Sequence, residues 1–248
     1  PEVSFKEMIF EAAVKAYDDA GIKPSQVDTF VSISEDYLEG TAIADEYVPD
    51  QLGAVLKPVH TIGSDSITAL ASVFLQLQTG QFNVAVVEGR SKASNILHPA
   101  HIEAMALDPI YTRPLGLHPC FVAGLEMRAF LEGTDNTEEQ TAKVVEKNRT
   151  NALRNPLAAY GAQISAQNVL DSAPLAEPLK KEDTARYADG AIVMVLATEI
   201  AASQMKAQPI YIKGIGWSQD TPNLEAREWT SATYAKLACR RAYRMAGI

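Results

Sequence analysis

The sequence predicts an α/β protein of layered sheets and helices built on an internal duplication, and three observations predict it. The chain ends on a copy of its own beginning. Ala12, Ala16, Tyr17, Ala20, Gly21 and Ile22 recur at one constant offset as Ala238, Ala242, Tyr243, Ala246, Gly247 and Ile248, and such self-similarity marks a repeated supersecondary unit. Two apolar runs, residues 82–88 and 189–197, read as strands covered on both sides. Between the strands lies a stretch, residues 64–79, that is apolar almost all round at helical spacing (Ile67, Leu70, Ala71, Val73, Phe74, Leu75, Leu77). A helix with no wet face belongs inside a protein.

The elements follow in order. Residues 4–20 carry a helical stripe, with Met8/Ile9, Ala12/Ala13, Ala16/Tyr17 and Ala20 inward. Gly21 and Pro24 stop this helix. Val27–Ile33 is rich in branched and aromatic residues and reads as a strand. An acidic loop from Glu35 to Asp50 leads to a short helix around Pro49–Gly53, and 57–62 forms a second strand. The apolar helix 64–79 ends at Gly80, before the strand 82–88. Residues 90–178 then change character. Prolines at 99, 109, 114, 119, 156, 174 and 178 break the chain into short pieces, as expected of an insertion lying over a sheet. Within it, Thr137-Glu-Glu-Gln140 is a capping box that opens a charged helix through about residue 155. The strand 189–197 returns to the sheet. Pro209–Ile215 is a last strand before the terminal helix, whose stripe (Tyr234/Ala235, Ala238/Cys239, Ala242/Tyr243, Ala246) repeats the phase of the first. The expected divisions are a core over 1–89, an inserted domain over 90–178, a return to the core over 179–206, and the start of a second repeat over 207–248.

Composition narrows the function. A hydrophobic fraction of 47% supplies a core, while a net charge of -9 argues against a nucleic-acid backbone as partner. No run of about 18 apolar residues is present to span a membrane. Two cysteines, Cys120 and Cys239, fit a reducing cytoplasm better than a disulfide framework. Asn148-Arg149-Thr150 has the form of a glycosylation acceptor but falls within the charged helix, where a surface role is expected. The histidines His60, His98, His101 and His118 gather no carboxylate or cysteine set, so no metal site is expected. Gly214-Ile-Gly216 follows a strand, but the third glycine of a dinucleotide fingerprint is missing. His118-Pro-Cys120 places a thiol beside an imidazole without an activating geometry of its own.

The segment most suited to chemistry is Thr61-Ile-Gly-Ser-Asp-Ser66, between a strand and the start of the apolar helix. Orphan N–H groups and the helix dipole make such a terminus a home for a nucleophile or an oxyanion. Ser64 and Asp65 also serve there as caps.

Taken together the chain resembles the thiolase superfamily, particularly its sterol-carrier-type and archaeal acyl-CoA thiolases. The resemblance is carried by Ala12 to Ile22 followed by Val27-Asp28, by Thr79–Ser94, by Arg113-Pro-Leu-Gly116 and by Val145–Pro156. Pro178-Leu179 with Ala188-Asp-Gly-Ala191, and the terminal Ala-Tyr and Ala-Gly-Ile, complete it. It implies an αβαβα layered architecture with a mixed sheet and an inserted loop domain, the C-terminal repeat being largely absent. It also implies acyltransfer, the making or breaking of a carbon–carbon bond beside a coenzyme A thioester, with acyl-CoA as substrate and no covalently bound cofactor. The family's nucleophilic cysteine falls on Gly63, with Ser64 adjacent, so the nucleophile is altered or lost. Asp65, Ser66, Arg113, His118 and Cys120 are the implied substrate-side residues. The alternatives are a non-catalytic subunit that binds acyl-CoA or scaffolds a partner, and a retro-aldolase that needs no cysteine. A homodimer, and a small zinc-ribbon/OB-fold partner subunit, are the implied associations.

Overall fold

The computed structural model describes residues 2–34, 43–63 and 65–248. The Glu35–Asp50 loop therefore lies partly, and Ser64 wholly, outside the described residues. The chain folds into two compact units, one formed by residues 1–99, 188–217 and 238–248, the other by 100–187 and 218–237.

In the first unit, helix α1 (Phe5–Ala20) opens on a capping box in which Ser4 and Glu7 bond to each other's backbone, and closes on Gly21 at φ 71°. Strand β1 (Thr29–Ile33), the short helix α2 (Pro49–Leu52) and strand β2 (Val59–Ile62) follow. Helix α3 (Ser66–Gln78) leads into strand β3 (Val84–Lys92). The chain then passes through α4 (Pro99–Glu103) into the second unit, with α5 (Pro119–Gly133), α6 (Glu138–Ala152), α7 (Ala166–Leu170) and the small antiparallel pair β4 (Pro174–Ala176) and β5 (Leu179–Lys180). It returns as β6 (Asp189–Ala197), continues through α8 (Glu199–Ala202), and ends in α9 (Thr233–Ala246).

The main sheet has the order β2-β1-β3-β6, with β1 parallel to β2 and β3 and with β6 antiparallel to β3. This is the mixed sheet that the apolar runs imply. Helix α1 packs on one face and α3 on the other. Alternation along β3 divides the core. Val84 and Val86 join Phe30, Ile9, Ala13 and Tyr17 on the α1 side, while Ala85 and Val87 meet Val31, Ala69 and Val73 on the α3 side. Tyr17 is buried, and its hydroxyl donates to the Leu52 carbonyl at 2.7 Å, which ties α1 to α2. Burial pushes its pKa up to about 12.

Three expectations need correction. Helix α3 buries Ala69, Ala71, Val73 and Leu77, but Ile67 is 57% and Leu75 46% exposed. Its apolar girth is greater than the sheet below it can cover. Strand β6 is not covered on both sides either. Val193 and Val195 pack toward α1, whereas Ile192 and Met194, on the opposite pleat, are exposed. Finally, Pro209–Ile215 forms no ladder, and Ile210 is almost wholly exposed. A strand-like composition makes a strand only where a neighbour offers hydrogen bonds.

That last segment is instead held by α9. A Cβ added to Gly214 would stand 2.1 Å from the Ala242 carbonyl oxygen, and one added to Gly216 would stand 2.2 Å from that of Ala238. These glycines thus serve close packing of an extended backbone against the alanine stripe of a helix, not phosphate recognition. The stripe's tyrosine does not share in this: Tyr243 is 55% exposed, against 6% for Tyr17. Because the clash is with helix backbone, which cannot swing aside, Gly214→Ala should free α9 from residues 209–217. The expected outcome is loss of hydrogen-exchange protection in residues 238–246 with α1 unaffected, and equal protection in variant and parent would refute the packing.

Candidate functional site

The three parallel strands end on the side where α3 begins, and ligands of open α/β sheets gather outside the carboxyl ends of strands. Gly63 follows β2 directly. It is exposed, and a Cβ built on it meets nothing within 4 Å. Asp65 is the N-cap of α3. Its Oδ1 accepts from the Thr68 N–H at 2.8 Å and from the Thr68 hydroxyl at 3.1 Å. Ser66, the first residue of the helix, is exposed.

A second carboxylate stands close to the same strand end. The Thr61 hydroxyl donates to Asp45 Oδ1 at 3.1 Å, and the Asp45 N–H donates back to the Thr61 oxygen at 2.9 Å. Thr61 shares the face of Ser32, so Asp45 lies on the α1 side of the sheet, and the carboxylate at the terminus of α3 is that of Asp65. An N-capping carboxylate already satisfies a helix N–H and offsets the positive end of the dipole. A thiolate or thioester oxyanion at residue 63 would meet negative charge there rather than a free set of donors.

The remaining residues expected at the site, Arg113, His118 and Cys120, belong to the second unit. Arg113 donates to the carbonyls of Met105 and Leu107, the latter at 3.1 Å. His118 caps α5 through Nδ1, which accepts the Cys120 N–H at 3.1 Å. With Nδ1 so used, that nitrogen is not placed as a base for the half-buried Cys120 thiol. No group of three or more histidine, cysteine or acidic residues suited to a metal occurs among the described residues. Nor is any helix of these residues long and apolar enough to cross a membrane.

Sequence reasoning passed over a buried polar row on the α1 side of β3. Glu88 and Arg90 are paired at 3.1 Å with both side chains fully buried. The Ser32 hydroxyl donates to Glu88 at 2.6 Å, and the Arg90 guanidinium lies 5.3 Å from the centre of the Phe5 ring. Lys92, 3% exposed, pairs with Asp189 across the β3–β6 ladder. Asp189 also accepts from the N–H and hydroxyl of Ser94. The clue in the sequence was charge at alternate positions 88, 90 and 92 of an otherwise apolar strand.

With this geometry in hand, the likeness to known proteins can be set beside it. No family model matches the chain. Over its whole length it is 27% identical to an acetyl-CoA acetyltransferase of Methanothermobacter thermautotrophicus, of which it covers 66%. Over 82% of its length it is 24% identical to a 17-hydroxy-3-oxo-4-pregnene-20-carboxyl-CoA lyase of Mycobacterium tuberculosis, covering 55% of that protein. The solved Ltp2-ChsH2(DUF35) aldolase superposes on all of it with a TM-score of 0.80 at 22% identity, the chain covering 66% of that structure. A monomeric SCP2-thiolase like protein of Mycobacterium smegmatis superposes on 99% of the chain with a TM-score of 0.76 at 18% identity, the chain covering 54% of it, so the fold is thiolase-like. The chain spans less than two thirds of the length of each of these proteins.

The Lys92–Asp189 pair gives this thiolase-like unit a measurable acid response. Partial burial works to raise the Asp189 pKa, but the hydrogen bonds from Lys92 and Ser94 and the charge of Lys92 outweigh it and hold the group at about 2, below the ordinary 3.8. A depressed folded-state pKa stabilises above the unfolded value, and that contribution is lost as pH falls from about 4 to about 2. Asp189→Asn leaves Lys92 buried without its counter-charge, a change worth about 3 kcal/mol in such pairs. Urea unfolding at pH 6 should show that deficit, and the gap between variant and parent should shrink on descent to pH 2. A gap independent of pH would refute the assignment.

Proposed function

We propose that this chain acts on a coenzyme A thioester as a thiolase-like protein whose chemistry does not pass through a cysteine acyl-enzyme at residue 63. The observation that carries this reading is the start of α3, where Gly63 offers no side chain and Asp65 occupies the helix cap. Acyl transfer through a covalent intermediate needs an activated nucleophile, and the Asp65 carboxylate at the helix cap disfavours the anions such a step creates.

Two chemistries fit a thioester site of this kind. Acyl transfer is supported by the likeness to an acetyl-CoA acetyltransferase. Retro-aldol cleavage is supported by the likeness to a CoA-ester lyase and to an aldolase structure, and the bare Gly63 favours it. In that reaction a base takes the proton of the substrate's β-hydroxyl. The carbon–carbon bond breaks toward the thioester, and the resulting enolate is reprotonated at carbon. A non-catalytic role, binding acyl-CoA or scaffolding a partner, is the remaining reading.

Residues 1–89 and 179–206 are the core in this reading and 90–178 the loop domain. Residues 207–248 open a second repeat, a division supported by the shared alanine stripe of α1 and α9. The aldolase neighbour bears the name of an assembly with a second protein, which supports a small zinc-ribbon/OB-fold partner. A homodimer and a cytoplasmic setting complete the proposal.

The test offers the purified protein 3-oxoacyl-CoA with free CoA and, separately, 3-hydroxyacyl-CoA esters branched at the β-carbon. Cleavage of the second set without thiolysis of the first is the expected result. Thiolysis accompanied by an acylated protein in the mass spectrum would sink the cysteine-free reading. Gly63→Cys should fold normally, because its Cβ enters open space and exposed substitutions shift stability by about 0.5 kcal/mol or less. Slow acylation of this new thiol by acetyl-CoA is expected; a folded variant that is never labelled would remove residue 63 from the thioester site.

A further inference from the structure

The second unit contains a cavity of about 380 Å3 whose lining includes Arg149, Tyr160, Ile164, Asn168, Glu182 and Arg186. Its volume falls in the range of small-molecule sites. Two guanidiniums share one carboxylate here: Arg149 Nη2 lies 3.2 Å and Arg186 Nη2 2.6 Å from the two oxygens of Glu182. The set keeps a charge of about +1, within a chain of net charge -9. Arg149 is 14%, Glu182 21% and Arg186 44% exposed, so the Arg149 side of the set is the less screened by water.

The hydrogen-bond inventory is one-sided. An arginine carries five N–H donors. Arg149 gives one to Glu182 and one to the Tyr160 carbonyl, and Arg186 gives one to Glu182. Asn168 spends its Oδ1 on the Ser165 N–H and hydroxyl, which leaves its amide as a donor. Both oxygens of the cavity's carboxylate are thus engaged, while the two guanidiniums and the Asn168 amide keep donors to offer. The lining also has apolar surface, from Ile164 and from the Tyr160 ring, which lies 5.7 Å from the Arg186 guanidinium.

We infer that this cavity is a binding site for a small organic monocarboxylate, its carboxylate held by Arg149 and Arg186 and its apolar body lying against Tyr160 and Ile164. Planar forks match carboxylates in two-point contact. Glu182 selects against a dianion such as inorganic phosphate, because the cavity holds one surplus positive charge and no more. The site lies wholly within the second unit.

Benzoate is the probe, titrated into the full chain at constant ionic strength set with chloride and followed by amide chemical shifts of residues 149–186. Saturable shifts in this segment are expected, with inorganic phosphate binding more weakly. Arg186→Gln removes the more exposed guanidinium, leaves the Arg149–Glu182 pair in place, and should weaken benzoate about tenfold or more. Glu182→Gln raises the cavity's charge by one and should tighten benzoate severalfold, an effect that a purely structural ion network would not produce. Circular dichroism checks that both variants fold. Absence of saturation, phosphate binding tighter than benzoate, or a folded Glu182→Gln variant that binds no better than the parent would each overturn the inference.

Discussion

A row of charge buried along one side of a single strand constrains much of the first unit. In β3 the residues facing α1 run Val84, Val86, Glu88, Arg90 and Lys92, so the strand passes from apolar core to buried ions within one pleated face. Ions taken from water lose several kcal/mol each unless partners replace the solvent. Here Ser32, Phe5, Ser94 and Asp189 are those partners, drawn from β1, α1 and both ends of the excursion into residues 100–187. A slip of one residue in the β3 pairing would turn the three charges toward Val31, Ala69 and Val73 on the other face. The buried ions therefore fix register more than they add stability, and Asp189 fixes the place where the chain rejoins the sheet.

Register in turn sets the carboxyl ends of the strands, and so the place where α3 starts. The same helix terminus can serve opposite chemistries, depending on which group completes its first turn. Left open, its N–H groups stabilise an anion formed during reaction; closed by a carboxylate, they are already engaged. In this chain Asp65 closes it. A capped terminus of this kind disfavours nucleophilic attack through an anion at residue 63. Position and chemistry separate here, which is why a fold-level likeness alone does not fix the reaction.

Much of this was legible in the residues. The capping box at Thr137, the Gly21 stop and the apolar strands each depend on contacts within a few positions, and each is found where the spacing puts it. The cap of α3 was legible too, since Asp65 needs only Thr68 beside it. Burial was less readable. Periodicity reports how apolar a face is, not whether anything lies against it, and so Ile67, Leu75, Ile192 and Met194 were assigned to an interior they do not occupy. Partnerships between distant residues were not readable at all. Lys92 meets Asp189 across 97 positions, and Arg149 meets Glu182 across 33. No local pattern specifies which charge will face which until the strands and helices have been placed.

The repeated helix shows what a sequence repeat preserves. Helices α1 and α9 share their alanines, tyrosine and terminal glycine, yet their tyrosines have different fates: Tyr17 is buried with its hydroxyl on Leu52, and Tyr243 faces solvent. The alanines behave alike. Ala20 is buried where α1 lies on its side of the sheet, and its counterpart Ala246, with Ala238 and Ala242, lets the backbone of Gly214 and Gly216 approach α9 to the limit of contact. Small side chains set the distance between backbones, and this distance must be kept wherever a helix settles on an extended segment. A tyrosine's hydroxyl depends instead on a particular carbonyl such as that of Leu52, which only one of the two helices has. The repeat is thus a repeat of interlayer spacing, and residues whose role depends on one specific neighbour can diverge within it.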